Sequence, residues 1–224
     1  MDTAAARHRM VEAHLAARGI RDAAVLAAMR EVPREAFLSA ELAEFAYEDA
    51  PLPIESGQTI SQPFIVALMS AALELRQSDR VLEVGTGSGY AAAVLSRVAA
   101  EVYTIERHGE LADLATQRLA ALHYDNVHVR HGDGTLGWPE QAPFDAIVVA
   151  AGGPDVPPAL LEQLAVGGRL VIPIGPTPRT QELVRVRRTA AGLQREELGG
   201  VRFVPLIGAQ GWAGEAAAPP PPRP

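Results

Sequence analysis

The chain has 224 residues, 48% of them hydrophobic and 21% charged, and a formal net charge of -7. That length supports one sizeable core, and the acidic balance removes the overall attraction on which nucleic-acid binding rests. Cysteine is absent, which excludes disulfides, thiolate nucleophiles, iron–sulfur clusters and the common structural zinc sites.

The N-terminal stretch scatters Arg7, His8, Arg9, Glu12 and His14 among alanines, without the apolar run of a signal peptide. No later run reaches the roughly 20 apolar residues of a membrane span, so a soluble, cytoplasmic protein is expected. Val11, Leu15 and Ala16 share one face of a first helix, and Val25, Leu26 and Met29 share one face of a second. Pro33 ends the second helix, and Pro51 and Pro53 mark an extended link. A third helix is expected from Phe64 to Leu75, with Pro63 at its start and Ser61 at or just before the N-cap.

From Arg80 the period changes. Val81–Val84 reads as a strand, Tyr90–Val98 as a helix of small residues, and Val102–Ile105 as a second strand. Leu111, Leu114, Ala115, Leu119 and Leu122 line one helical face. Val127–Val129 and Phe144–Val149 are the next strands. Leu160, Leu161 and Leu164 suggest a helix stopped by Gly167-Gly168, followed by a strand from Leu170 to Ile174. This alternation argues for a parallel sheet covered on both faces. Leu183–Val186, a turn at Gly192 and Val201–Val204 then suggest an antiparallel edge. Ala213–Pro224 is alanine and proline without period, and is expected to be a disordered tail.

Between a strand and a helix lies Glu83-Val84-Gly85-Thr86-Gly87-Ser88-Gly89. Glycines at such a turn let backbone approach a ligand closely. The dinucleotide fingerprint G-x-G-x-x-G fits poorly, because the third glycine comes one residue early and Tyr90 takes its place. An acidic residue two before G-x-G-x-G is the pattern of S-adenosylmethionine enzymes, whose ligand has a cationic amino group and a sulfonium but no pyrophosphate. A bare turn without ligand is the remaining alternative. Glu106, about 20 residues on, closes the second strand where a carboxylate can accept from two ribose hydroxyls. Asp133, between Gly132 and Gly134, closes the third and can accept from an adenine amino group. Three acids at successive strand ends share the sheet edge where ligands of open α/β folds bind.

The segment Gly57-Gln58-Thr59-Ile60-Ser61-Gln62-Pro63 resembles the signature of protein-L-isoaspartate O-methyltransferases. So do Arg80–Tyr90, His131–Gly134, Gly137–Glu140, Ala142–Ala146, Gly167–Pro173 and Val201–Leu206, and the likeness runs from about residue 8 to Trp212. It implies a Rossmann-like, doubly wound α/β fold with a mainly parallel sheet of about seven strands, an antiparallel edge and N-terminal helices. One domain is expected over 1–212, divided into a helical and active-site segment (1–79), a cofactor core (80–175) and C-terminal strands (176–212).

The resemblance also implies S-adenosylmethionine as cofactor and isoaspartyl-containing proteins and peptides as substrates; a monomer is expected, although no sequence feature gives the oligomeric state. Ser61 would be the active-site serine. Cofactor contacts are expected from Thr59, Ile60, Glu83, Gly85, Thr86, Gly87, Ser88, Gly89, Glu106, Arg107, Asp133 and Gly134. Substrate contacts are expected from Gln58, Gln62, Pro63, Ala150, Ala151, Gln181 and Gln210, with Ile207 near the cofactor. Gly152-Gly153 departs from the family's usual alanine or proline and bears on peptide selectivity.

The chemistry suits a site without a base. The free carboxyl of an isoaspartyl residue is formally an α-carboxyl, with a reference pKa of roughly 3.3–3.7, and is ionised at neutral pH. Methyl transfer to it needs placement and water exclusion, and Ser61 would orient the carboxylate. The six histidines form no metal pattern; His128 reads as an exposed strand residue, and His131 as a hydrogen-bonding neighbour of the Asp133 turn. Thr86 and Tyr90 rule out a nucleophile elbow at Ser88. Two alternatives stay open: a methyltransferase acting on an aspartate of one dedicated biosynthetic peptide, and a non-catalytic cofactor-binding relative.

Overall fold

The computed structural model describes residues 2–213; the remainder of the expected tail, 214–224, lies outside them. In chain order the elements are α1 (Thr3–Met10), α2 (Ala23–Glu31), β1 (Leu52–Pro53), β2 (Thr59–Ile60), α3 (Pro63–Ala72), β3 (Arg80–Val84), α4 (Tyr90–Ser96) and β4 (Glu101–Glu106). There follow α5 (Gly109–Ala121), β5 (Val127–His131), β6 (Phe144–Val149), α6 (Pro158–Gln163), β7 (Leu164–Thr177), β8 (Thr180–Thr189) and β9 (Gly192–Val201). Among the described residues, no helix is long and apolar enough to cross a membrane.

Seven strands form one sheet in the order β5-β4-β3-β6-β7-β8-β9. The five from β5 to β7 are parallel, and β8 and β9 complete an antiparallel edge, as expected. The chain runs outward from β3 through β4 to β5, then returns to β6 on the other side of β3. That reversal opens a crevice between β3 and β6, where open α/β sheets bind ligands.

Both faces of the central strands are buried, so their sequences are almost continuously apolar. Val81, Ala146, Val148 and Val171 pack under α3 and α4 with Leu73 and Leu95. Leu82, Val84, Ile147, Val149, Leu170 and Ile172 face the opposite way, with Leu160 of α6. A third cluster joins the N-terminal helices to α4 and α5 through Val11, Leu15, Met29, Phe37 and Tyr90. Val11 and Leu15 are buried as their spacing predicts, although the backbone there makes a wide π turn between α1 and a short 3-10 turn.

Three differences from expectation bear on the sheet. Leu164 belongs to β7, where it pairs with Phe144, because α6 gives way to extended backbone at that residue. Gly167-Gly168 therefore does not stop a helix. The pair lies in a bulge, since Phe144 pairs with Leu164 while Ala146 pairs with Arg169. The last strand is Gly192–Val201, not Val201–Val204. As the sheet's edge, β9 is exposed along most of its length and carries no alternating apolar pattern. Residues 202–204 leave the sheet and head for the crevice.

The arginines of β8 are neutralised within the fold. Arg185 and Arg187 pair with Glu74, Arg185 also with Glu196, and Arg188 donates to the carbonyls of Leu161, Glu162 and Leu164. Buried Arg169 ties α3 to the sheet, donating to Leu73 O at 2.5 Å and to Asp79 at 2.8 Å.

Candidate active site

The crevice contains a cavity of about 310 Å³, within the range of small-molecule sites. Its floor is the loop leaving β3. Gly85, Gly87 and Gly89 have φ of +96°, +53° and +93°, a left-handed conformation that side-chain-bearing residues rarely adopt. Gly85 N–H donates to Ile105 O at 2.8 Å, which fixes the loop against β4.

Glu106, the last residue of β4, is 4% exposed and lines this cavity. Its carboxylate accepts from Gly87 N at 2.9 Å through one oxygen and from His108 N at 2.9 Å through the other. A carboxylate has about four acceptor sites, so each oxygen keeps capacity for a hydroxyl of a bound diol.

Glu83 lies beneath the loop, 1% exposed, and does not line the cavity. The Thr104 hydroxyl donates to it at 2.6 Å, and Thr104 meets Thr86, a lining residue, at 2.6 Å. A chain of two hydroxyls thus connects the buried acid to the loop. Burial pushes the Glu83 carboxyl up to about 8; the Thr104 hydrogen bond opposes the rise, and repulsion from Glu106 adds to it.

Asp133 also stands behind the lining. It accepts from Thr135 N at 2.9 Å, Thr135 Oγ1 at 2.6 Å and Ala209 N at 2.7 Å. Burial acts to raise its pKa, but the bonds from Ala209 and Thr135, with Arg107 nearby, outweigh it and hold the carboxyl below its ordinary range. His131 does hydrogen-bond beside this turn, to Arg107 O at 3.2 Å, and His128 is exposed and pairs with Glu101.

The opposite wall comes from β2 and the start of α3. Gln62 is the N-cap of α3 and makes no capping bond of its own. Asp49 supplies it, accepting from Phe64 N at 3.0 Å while also accepting from Gln62 Nε2 at 2.8 Å and pairing with Arg18. The capping task expected near Ser61 is therefore met by Asp49. Among the described residues Ser61 Oγ makes no hydrogen bond, and Ser61 lines the cavity.

Ser61 also lines a second, open groove of about 1000 Å³. The two spaces share Thr59, Ser61, Ala150, Val204 and Pro205 as a common wall. Gly152 organises the far side of that wall: its N–H donates to Val204 O at 2.8 Å, and its carbonyl accepts from Leu206 N at 2.8 Å and Trp212 Nε1 at 2.9 Å. A Cβ there would stand 2.3 Å from Gln181 Nε2. The departure from alanine at this position makes room for Gln181, whose amide is bound to Phe203 N at 2.8 Å and Phe203 O at 3.1 Å.

Most of the expected site residues meet here. The cavity takes Gln58, Thr59, Ile60 and Ser61 from one wall, Gly85, Thr86, Gly87 and Ser88 from the loop, and Glu106, Arg107, Gly134, Ala150, Ala151 and Ile207 from segment ends. Gln62 and Gln181 line only the groove. Gly89 and Pro63 are packed behind the walls. Gln210 lines neither space; its side chain accepts from Ala159 N at 2.9 Å at the start of α6. The sequence reading missed Thr104, Asp49, Tyr90, Val204 and Pro205. Thr104 had a signal, a hydroxyl in an otherwise apolar strand, whereas Asp49 acts on a helix 15 residues away and leaves no local pattern.

Comparison with known proteins agrees with this geometry. Residues 5–211 match the family described as protein-L-isoaspartate(D-aspartate) O-methyltransferase. The chain is 65% identical over 207 residues to protein-L-isoaspartate O-methyltransferase 1 of Geotalea uraniireducens (strain Rf4), covering 92% of this chain and 94% of that one. It is 60% identical over 222 residues to the protein-L-isoaspartate O-methyltransferase 1 of Rhodopseudomonas palustris (strain HaA2), covering 99% and 91%. One solved protein-L-isoaspartate O-methyltransferase superimposes with a TM-score of 0.84 at 32% identity, over 92% of this chain and 67% of that one. A beta-aspartate methyltransferase from Plasmodium falciparum, solved with S-adenosyl-L-homocysteine, gives 0.76 at 28% identity, over 90% and 98%. Because the match spans residues 5–211, from before the Thr59–Pro63 segment to beyond the wall at Val204–Ile207, the chain belongs to the protein-L-isoaspartate(D-aspartate) O-methyltransferase family.

Proposed function

We propose that the cavity holds S-adenosylmethionine and the groove holds the damaged segment of a protein, the two meeting at Ser61. The enzyme methylates the free α-carboxylate of L-isoaspartyl residues in damaged proteins and peptides, and so initiates their repair through a succinimide. The observation that carries the residue assignment is the shared wall, where the cavity and the groove meet beside a serine hydroxyl with no partner among the described residues.

When bound, the cofactor supplies an electrophilic methyl group on a sulfonium whose departure leaves a neutral thioether. The protein's own residues do the rest by placement. Glu106 holds the diol, and the glycine loop gives the backbone contact that a larger residue would block. Ser61 donates to one carboxylate oxygen and turns the other toward the methyl group. Ile60 and Ala151, both buried, keep water from the reacting atoms. The carboxylate is already ionised, which accounts for a site built without a general base. In the methyl ester, the next backbone nitrogen attacks the carbonyl and methanol leaves; water then opens the succinimide to aspartyl or isoaspartyl chain. The enzyme so proposed is one domain over 1–212, acting as a monomer in the cytoplasm without membrane or nucleic-acid partners.

The test is methyl transfer from labelled S-adenosylmethionine to a matched pair of peptides, one isoaspartyl and one aspartyl. Label is expected on the isoaspartyl member alone, and label on the aspartyl member at a similar rate would refute the assignment. Ser61→Ala is expected to lower kcat/KM about tenfold to a hundredfold, the effect of removing one hydrogen bond to a charged group.

A further inference from the structure

The outer rim of the groove is formed by two segments, the turn from β7 into β8 and the stretch that leaves β9. Each carries one exposed arginine facing the groove's space, Arg179 and Arg202. Gln181 fixes these segments side by side: its Nε2 donates to Pro178 O at 2.9 Å and to Phe203 O at 3.1 Å. Pro178 precedes Arg179 and Phe203 follows Arg202, so one buried amide clamps the backbone beside both cations.

Among the described residues neither arginine is paired, unlike the arginines of β8. On the same edge of the sheet, Arg185 and Arg187 are paired with Glu74, and Arg185 also with Glu196. Among the described residues neither the Arg179 nor the Arg202 guanidinium has a carboxylate within 4.0 Å or donates a hydrogen bond. The one acidic residue in the groove is Glu182. A chain of net charge -7 thus turns locally positive at its substrate mouth. A guanidinium presents a planar fork of donors that matches a carboxylate.

We propose that Arg179 and Arg202 are specificity determinants that favour isoaspartyl segments with acidic side chains next to the damaged residue. This rests on the placement of the peptide in the groove given above. The two arginines receive flanking carboxylates, while the isoaspartyl carboxylate itself goes to Ser61. The contacts are solvent-exposed, so their effect is modest and falls as salt screens it.

The experiment uses isoaspartyl hexapeptides whose neighbours on both sides are Asp, Ala or Lys, with kcat/KM measured at low and high salt. Each rate is divided by that of the alanine peptide on the same variant, so general damage to a variant leaves the ratio unchanged. Acidic neighbours are expected to raise kcat/KM about threefold to tenfold at low salt, approaching parity at high salt. Arg179→Glu with Arg202→Glu should invert the order in favour of lysine neighbours, while the double Arg→Lys variant keeps the acidic preference. Thr180→Trp, a change that crowds the groove and not the cavity, separates the two ways of failing. If it suppresses turnover but the wild-type enzyme shows no charge preference, the groove stands and the inference falls. If neither Thr180→Trp nor the charge reversals change any rate, the groove assignment falls and takes the inference with it.

Discussion

Glu83→Gln should make the protein more stable, and by an amount that grows with pH. The carboxyl is 1% exposed and its pKa is pushed from 4.5 up to about 8, chiefly by burial. An unfolded chain gives up this proton near its ordinary pKa, while the folded chain keeps it. Between those values the native state binds the extra proton, so stability falls as pH rises and levels off once the folded group has also ionised. At about 1.4 kcal/mol per pH unit the whole interval corresponds to about 5 kcal/mol, an upper bound that water entry and relaxation reduce to roughly 2–4 kcal/mol. Glutamine has the same shape, does not titrate, and its side-chain oxygen can accept the Thr104 hydroxyl that now bonds Glu83. Urea unfolding without cofactor gives the test. Near pH 5 the two proteins should agree to within about 1 kcal/mol, and near pH 8 the variant should lead by about 2–4 kcal/mol. Subtracting the curves cancels groups that titrate alike in both proteins. Parallel curves from pH 5 to pH 8 would refute the reasoning. The same variant should bind S-adenosylmethionine more weakly above about pH 8, where the acid beneath the loop is ionised and favours a cationic ligand.

Three further outcomes are expected. Glu106→Ala removes the acceptor that holds Gly87 N and His108 N, and should weaken S-adenosylhomocysteine binding by tenfold or more in calorimetry, while kcat at saturating cofactor falls much less. Asp49→Ala deletes the cap of α3 and the Arg18 ion pair, and should cost about 1–2 kcal/mol in thermal unfolding, with a lower kcat because the Ser61 wall loosens. Trp212→Phe keeps an aromatic ring but loses the bond to Gly152 O; cofactor should dissociate about twofold to tenfold faster in stopped-flow displacement, with little change in the rate of methyl transfer.

What could be read in advance divides along physical lines. The central strands were visible because a sheet buried on both faces demands continuous apolar runs, as in Ala146–Val149. The glycine loop and Glu106 were visible because a left-handed turn at a strand end demands glycine, and an acid at the end of the next strand stands out against its apolar run. β9 was misplaced because an edge strand exposed on both sides imposes no such demand, so Val201–Val204 looked the better strand. Gly167-Gly168 reads equally well as a helix stop or a bulge, and only its pairing with β6 decides. Within the site, Ser61 was recognised from its neighbours, but what frees its hydroxyl was not: Asp49 lies 15 residues from the helix it caps. Gln210 was expected to reach the substrate and is instead engaged with α6, a contact across 51 residues of chain.

The wall at Val204–Trp212 has a consequence for biosynthesis. Strands β3 to β6 and the glycine loop are complete by Val149, yet the cavity also needs Leu206 and Ile207, and Asp133 and Gly152 hold the segment that carries them. A nascent chain therefore makes its glycine loop early and finishes the pocket last, through contacts such as Asp133 to Ala209 that span 76 positions. Such long closures slow folding. Cofactor present in the cell can thus stabilise the finished domain but gives little help to the chain still on the ribosome, and a product arrested before Trp212 would have most of the sheet and no working site.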